Sequence, residues 1–275
     1  MLRADSHVHF FRHGFGGRTT PEDHEIRTYE ELRLRHSIAE TLVVGYAGQD
    51  WCRDNNAYVA TLLDHRPWMY PLAFIRADTP PSEASLRRLV SDGFVGASIY
   101  LLGAAEVGAM VAWSNRDVAR LVNHLPLISI NILSQHLPGA AQTLTRLSPA
   151  RVLVSHLGMP GILGKELSHA GLAKRLAPVL ELAEFPNVGV KISGLYATSE
   201  ASEPDRQVTA TSAVQLVRAR FGAERLYWGS DYTPALQALA FDDIVNVARL
   251  DVFSEAELMA VMGGNLRTLL DDLRS

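Results

Sequence analysis

Eight short runs rich in β-branched and aromatic residues recur along the chain, each followed by a stretch long enough for an amphipathic helix. This alternation limits the fold more than any other feature. The runs are "RADSHVHFF" (3–11), "TLVVGYA" (41–47), "MYPLAFIRA" (69–77), "FVGASIYL" (94–101), "LPLISINI" (125–132), "ARVLVSHLG" (150–158), "NVGVKISG" (187–194) and "RLYWGSDY" (225–232). Between them the apolar spacing predicts helices at Tyr29–His36, Asn55–His65, Ser82–Asp92, Asn115–His124, Leu137–Leu147, Leu172–Glu184, Asp205–Phe221 and Phe241–Leu250, with Ser254–Leu273 closing the chain. Strands separated by helices pair in parallel, because each crossover returns the chain to the same end of the sheet. Eight such units with no break in composition predict an α/β fold, a single (β/α)8 TIM barrel over 1–275 with an extra C-terminal helix. A doubly wound open sheet is the main alternative and calls for a glycine-rich phosphate turn after an early strand. The nearest candidate, "GFGGR" (14–18), opens into no clear helix, which favours the barrel.

With 47% hydrophobic and 20% charged residues, the chain can bury a substantial core without covalent staples. A net charge of −4 with scattered Lys and Arg argues against a nucleic-acid partner. A lone cysteine, Cys52, excludes an internal disulfide framework and suits a reducing compartment. The longest apolar runs, such as "LPLISINIL", fall well short of a membrane span, and the N-terminus carries no signal-peptide core. The expectation is a cytoplasmic protein with no membrane partner.

In such a barrel the chemistry sits where strands end and loops begin. His7 and His9 end the first run two residues apart, so strand alternation turns both to the same side, into the mouth. His156 ends the sixth run and Asp231 the eighth. Taken singly, each has a plain structural explanation: a histidine that packs, an aspartate that organises a turn. Together they place four titratable groups from three strands in one narrow opening, where burial is costly unless they satisfy one another, a ligand or an ion. Arg76, Tyr100, Asn131 and Lys191 reach the same opening, and Lys191 alternates with Ser193 so that it faces inward. Arg76 and Lys191 suit an anionic substrate group, or else a salt bridge that braces the wall; Tyr100 and Tyr232 offer hydroxyls. The loop from Arg12 to Thr28 is long enough to serve as a lid or to be an ordered surface excursion.

The segments "DSHVHF", "VSHLG", "VKISGL", "LYWGSDYTP" and "GGNLRTLL", in this order over nearly the whole chain, resemble the amidohydrolase superfamily, in particular its amidohydrolase-2 branch. That branch holds lactonases such as those acting on 2-pyrone-4,6-dicarboxylate and L-fuconolactone, together with metal-dependent decarboxylases. The resemblance implies that His7, His9 and Asp231 are candidate ligands of one divalent metal, zinc or manganese, and that His156 assists the chemistry. Two positions depart from the pattern. The fourth run offers Tyr100 where a bridging lysine or glutamate would serve a second metal, and the fifth offers Asn131 near the place of a ligand histidine. Asparagine is a poor zinc ligand, so metal-independent chemistry stays open.

The reaction implied is opening of a cyclic ester of a sugar acid or an aromatic-degradation intermediate. Asp231 would activate water, while His7, His9 and His156 polarise the carbonyl directly or through the metal. Arg76, Tyr100, Asn131, Lys191 and Tyr232 would contact a small, carboxylated substrate. The alternatives are a metal-dependent decarboxylase of an aromatic or unsaturated acid, against which Asn131 counts, and a barrel that binds a ligand without catalysis. Apolar residues on the terminal helices leave a homo-oligomer open.

Overall fold

The computed structural model describes residues 1–17, 20–164, 167–203 and 206–274. Its eight parallel strands are β1 (Arg3–Val8), β2 (Ile38–Val44), β3 (Met69–Phe74), β4 (Gly96–Leu101), β5 (Leu127–Ile132), β6 (Arg151–Val154), β7 (Val188–Ile192) and β8 (Leu226–Trp228), each hydrogen-bonded to the next in chain order. The ring closes just beyond β8, where Asp231 N donates to His7 O at 2.8 Å and His9 N to Tyr232 O at 2.5 Å. The result is the (β/α)8 barrel that the alternation predicts.

Helices α1 (His24–Arg35), α2 (Asn55–Thr61), α3 (Glu83–Ser91), α4 (Ala104–Val111), α5 (Asn115–His124), α6 (Leu137–Arg146), α7 (His169–Leu180), α8 (Arg206–Thr209), α9 (Thr211–Phe221), α10 (Phe241–Val245), α11 (Glu255–Met259) and α12 (Asn265–Asp272) complete the described elements. Helix α1 begins five residues before the expected Tyr29, because Glu25 and Ile26 are already buried in its first turn. Helix α4 was not expected; Gly103 before it and Gly108 inside it obscure the helical signal of "AAEVGAMV". The closing helix is interrupted by a wide π-type turn, Ala260–Gly264. Asp205 and Arg18, which end two of the expected segments, lie outside the described residues. Among the described residues no helix is long and apolar enough to cross a membrane.

Strand alternation sorts the side chains into two compartments. On β5, Ile128, Ile130 and Ile132 point outward into the core shared with Leu121, Leu144 and Leu176 of the helix layer. Leu127 points inward, joining Ala4, Leu42, Val44, Tyr70, Leu72, Leu153 and Tyr227 in an apolar lower layer that Leu266, Leu269 and Leu270 of α12 close from below. Close contact at this plug requires Gly263, where a Cβ would lie 2.7 Å from Ala4 N. Asn265 Nδ2 anchors it by donating to Ala223 O and Leu226 O at 2.7 and 2.8 Å. The extra C-terminal helix is therefore the floor on which the barrel interior is built.

Leu266→Ala should destabilise the protein by about 2–5 kcal/mol in urea unfolding, as for other fully packed leucines. A change within about 0.5 kcal/mol would show that the plug is dispensable.

Candidate functional site

Asp5, fully buried in β1, organises the seam on which the site stands. Its Oδ1 accepts from His7 N at 3.1 Å and Ser230 N at 2.8 Å, and its Oδ2 from Tyr29 Oη at 3.0 Å. Burial raises its pKa to about 6 against these hydrogen bonds. Held this way, β1 and the segment after β8 present His7 and Asp231 to each other. The expected strands stop short here: His156 and Asp231 follow β6 and β8 rather than ending them, since both take left-handed backbone (φ 56° and 58°) that no pleated strand accommodates. Such conformations gather where a site requires them.

The four expected groups converge. His7 Nε2 lies 3.0 Å from His9 Nε2, and each lies 3.7 Å from Asp231 Oδ1. His156 Nε2 is 4.0 Å from the same oxygen, and its ring sits 4.5 Å from that of His7. Asp231 Oδ2 is taken by Tyr196, whose hydroxyl donates at 2.7 Å. Gly194, with φ +62°, leaves room for His156, since a Cβ there would come 2.5 Å from His156 Nδ1.

Hydrogen-bond chemistry assigns one tautomer outright. His9 Nδ1 is 2.7 Å from Val44 O, and a carbonyl only accepts, so Nδ1 carries the proton and Nε2 presents a lone pair. Beneath, Lys191 Nζ donates to Ser129 Oγ at 2.8 Å and lies 3.3 Å from His7 Nδ1; Ser155 Oγ is 3.4 Å from the same nitrogen. Burial lowers His7 well below its usual range, with Lys191 adding to the shift, and lowers His9 and His156 to about 4. Burial also brings Lys191 down to about 7, although Asp5 and Asp231 oppose it. Asp231 is pushed up to about 6 by burial, with His9, Tyr196 and Lys191 pulling the other way. The imidazoles are thus neutral near neutral pH. His7, His9 and Asp231 offer ligand atoms all within 4.8 Å of one another. Two imidazoles and a carboxylate are ordinary ligands for zinc or manganese, and a ring held by Nδ1–H to a main-chain carbonyl is how ligand histidines are oriented. This donor set fits a divalent cation.

The remaining expected residues are distributed unevenly. Tyr100 packs its ring 4.6 Å from Tyr46 and 6.0 Å from Phe74 at the mouth, close enough to Asp231 for the carboxylate to raise its pKa beyond what burial does. Asn131 is 1% exposed and neither side-chain amide atom has a partner among the described residues, which leaves a donor and an acceptor for a ligand. Lys191 lies under His7, bonded to Ser129, rather than at the mouth. Arg76 is exposed and engaged by Asp78. Tyr232 does not join the site: past β8 its hydroxyl donates to Glu25 O at 2.7 Å beside Tyr29 and Phe10. The Arg12–Thr28 segment is shortened by α1 and tied down by Glu25, which accepts from Phe11 N at 2.9 Å and Phe15 N at 2.7 Å. Asp5 and Tyr196 escaped the sequence reading. Asp5 had a usable signal, an acid at period two from His7; Tyr196, in the turn after β7, had none.

The family model for amidohydrolases matches residues 4–271. A curated relative, L-fucono-1,5-lactonase of Burkholderia multivorans, is 24% identical over 281 residues, 96% of this chain and 94% of its own. Among solved structures, an amidohydrolase from Burkholderia multivorans with bound zinc superposes with a TM-score of 0.79 at 22% identity, covering 97% of this chain and 98% of that one. A protein named as a 2-pyrone-4,6-dicarboxylic acid hydrolase from Pseudomonas putida does so with a TM-score of 0.74 at 20% identity, covering 98% and 97%. These likenesses share the barrel.

Tyr196→Phe leaves a buried carboxylate oxygen without its donor, so unfolding free energy should fall by about 1.5–3 kcal/mol. An unchanged urea midpoint would mean that the hydroxyl is not held by Asp231.

Proposed function

The chain belongs to the amidohydrolase family, a family of enzymes, and from that premise we propose that it is a lactonase, opening the cyclic ester of a small-molecule substrate to a hydroxy acid. One observation carries this reading: Asp231 is fixed through Oδ2 by Tyr196 while Oδ1 faces three imidazoles at the bottom of the barrel mouth. Two relatives named as a lactonase and a pyrone hydrolase support it.

In the proposed reaction a water attacks the ester carbonyl carbon, and Asp231 Oδ1 takes its proton. The carbonyl oxygen becomes an oxyanion as the new C–O bond forms. The ring C–O bond then breaks, and the leaving alkoxide recovers the proton from Asp231. His156 Nδ1 lies 3.0 Å from Ser193 Oγ and its Nε2 faces the mouth; in the proposed reaction this ring carries its proton on Nε2 and stabilises the oxyanion. His9 has no such proton to give, because its Nδ1–H serves Val44. His7, His9 and Asp231 would hold one divalent ion, zinc or manganese, which when bound supplies polarisation of the carbonyl and of the attacking water. Asn131, with both amide atoms unpartnered among the described residues, orients the substrate.

Asp231→Asn should lower kcat on a turned-over lactone by about 10²–10⁴-fold, the scale of a general base, with the unfolding transition retained. A rate near that of the wild type removes Asp231 as the base. Metal-stripped protein should take up one zinc or manganese ion per chain in equilibrium dialysis, and His9→Ala should weaken uptake at least about tenfold. If the wild type takes up none, the histidines act without an ion.

A further inference from the structure

A cavity of about 370 Å³ opens over the ends of β2, β3 and β4, within the ordinary range of small-molecule sites. Tyr46, Phe74 and Tyr100 form one wall, with ring centroids 4.6–6.0 Å apart. Arg76, Asp78 and Glu106 supply its charge. Tyr100 joins the cavity to the site, since it both lines the former and feels the Asp231 carboxylate.

Among the described residues, the single cation lining this cavity is already committed. Arg76 Nε donates to Asp78 Oδ1 at 2.9 Å and Nη2 to Asp78 Oδ2 at 2.5 Å, a fork-on-carboxylate arrangement that uses one full edge of the guanidinium. Thr79 Oγ1 donates to Asp78 Oδ1 at 3.1 Å and helps to hold it there. Glu106 has no cationic partner among the described residues, so the charged side chains of the cavity are one cation and two anions. A carboxylated ligand entering here finds one edge of Arg76 already taken and brings a third negative charge beside Asp78 and Glu106. A neutral ring bearing hydroxyls meets the opposite conditions. Its C–H faces pack on the aromatic rings, and its hydroxyls donate to carboxylate oxygens of Asp78 and Glu106.

We propose that Asp78 is a specificity-determining residue: by occupying Arg76 it makes the cavity select an uncharged, polyhydroxylated lactone and reject one that carries a carboxylate on the ring. This rests on the lactonase reading and names the substrate class for it. It also reverses the expectation that Arg76 receives a substrate carboxylate. Selection here works by a built-in competitor for the cation as much as by contacts to the favoured ligand.

The test compares kcat/KM for hydroxylated 1,5-lactones of sugar acids with that for 2-pyrone-4,6-dicarboxylate. In parallel, calorimetric titration uses two inert ligands, a neutral hydroxylated δ-lactam and isophthalate. The wild type should favour the neutral member of each pair. Asp78→Asn should shift both ratios toward the carboxylated member by about tenfold, and Arg76→Gln added to Asp78→Asn should abolish that gain. A wild type that prefers the dicarboxylate, or ratios unmoved by Asp78→Asn, overturns the assignment of Asp78 and leaves lactone hydrolysis standing. If no lactone is opened, the lactonase reading falls, and the two inert ligands still decide whether Asp78 sets the charge preference of the cavity.

Discussion

The Asp5 carboxylate is the interaction on which the rest of the mouth depends. A fully buried carboxylate is costly unless its oxygens are satisfied, and here the donors come from three separate elements: the backbone of β1, the backbone after β8, and Tyr29 of α1. Because the same group grips both sides of the seam, it fixes His7 relative to Asp231 rather than merely closing the ring. Glu25 repeats the device one layer outward, binding Phe11 N and Phe15 N on one side and Thr233 Oγ1, at 3.0 Å, on the other. Two buried acids thus hold the loops after β1 and β8 in register.

Inside the ring the chemistry changes in layers. An apolar floor closed by α12 gives way to a middle tier of Lys191, Ser129 and Ser155, and then to the imidazoles and Asp231. The middle tier acts on the upper one. A lysine beneath three histidines adds repulsion to the desolvation that already keeps them neutral, and neutral rings are what either metal ligation or hydrogen bonding to a developing oxyanion needs. The same lysine, with Asp5 and Asp231 nearby, stays less basic than a surface amine. Charge in this interior is shared between groups, not assigned to one.

Much of this was legible from strand periodicity. Alternation alone put His7 and His9 on one side, turned Lys191 inward with Ser193, and aligned Tyr100 and Asn131, which are register partners on β4 and β5. Tyr232 lies past its reach, because the left-handed backbone of Asp231 breaks the alternation beyond β8. Other features depend on loop conformation, which periodicity does not encode. Tyr196 reaches Asp231 from a turn after β7, and the Arg76–Asp78 pair forms across a segment just past β3. Helix α4, whose glycines mask it, brings Glu106 to the cavity.

The two tasks proposed for the mouth come from different parts of the ring. The converging groups and their supports stand on β6, β7, β8 and β1, four neighbours across the closure: His156, Lys191 and Tyr196, Asp231, and His7 with His9. The cavity wall stands on β2, β3 and β4 and on α4, with Asn131 of β5 between the two sets. The first set is locked by buried hydrogen bonds that run through the seam, so a change in any member disturbs the others. The second set is carried mostly by exposed or half-exposed side chains on short loops, and Arg76 and Asp78 have 64% and 51% of their side chains in solvent. Substitutions there can alter which ring is accepted without passing through the Asp5 and Asp231 network. On the proposed reading, a barrel divided this way can keep one reaction while its selectivity drifts, because the residues proposed to move protons and those proposed to choose the ligand stand on different strands.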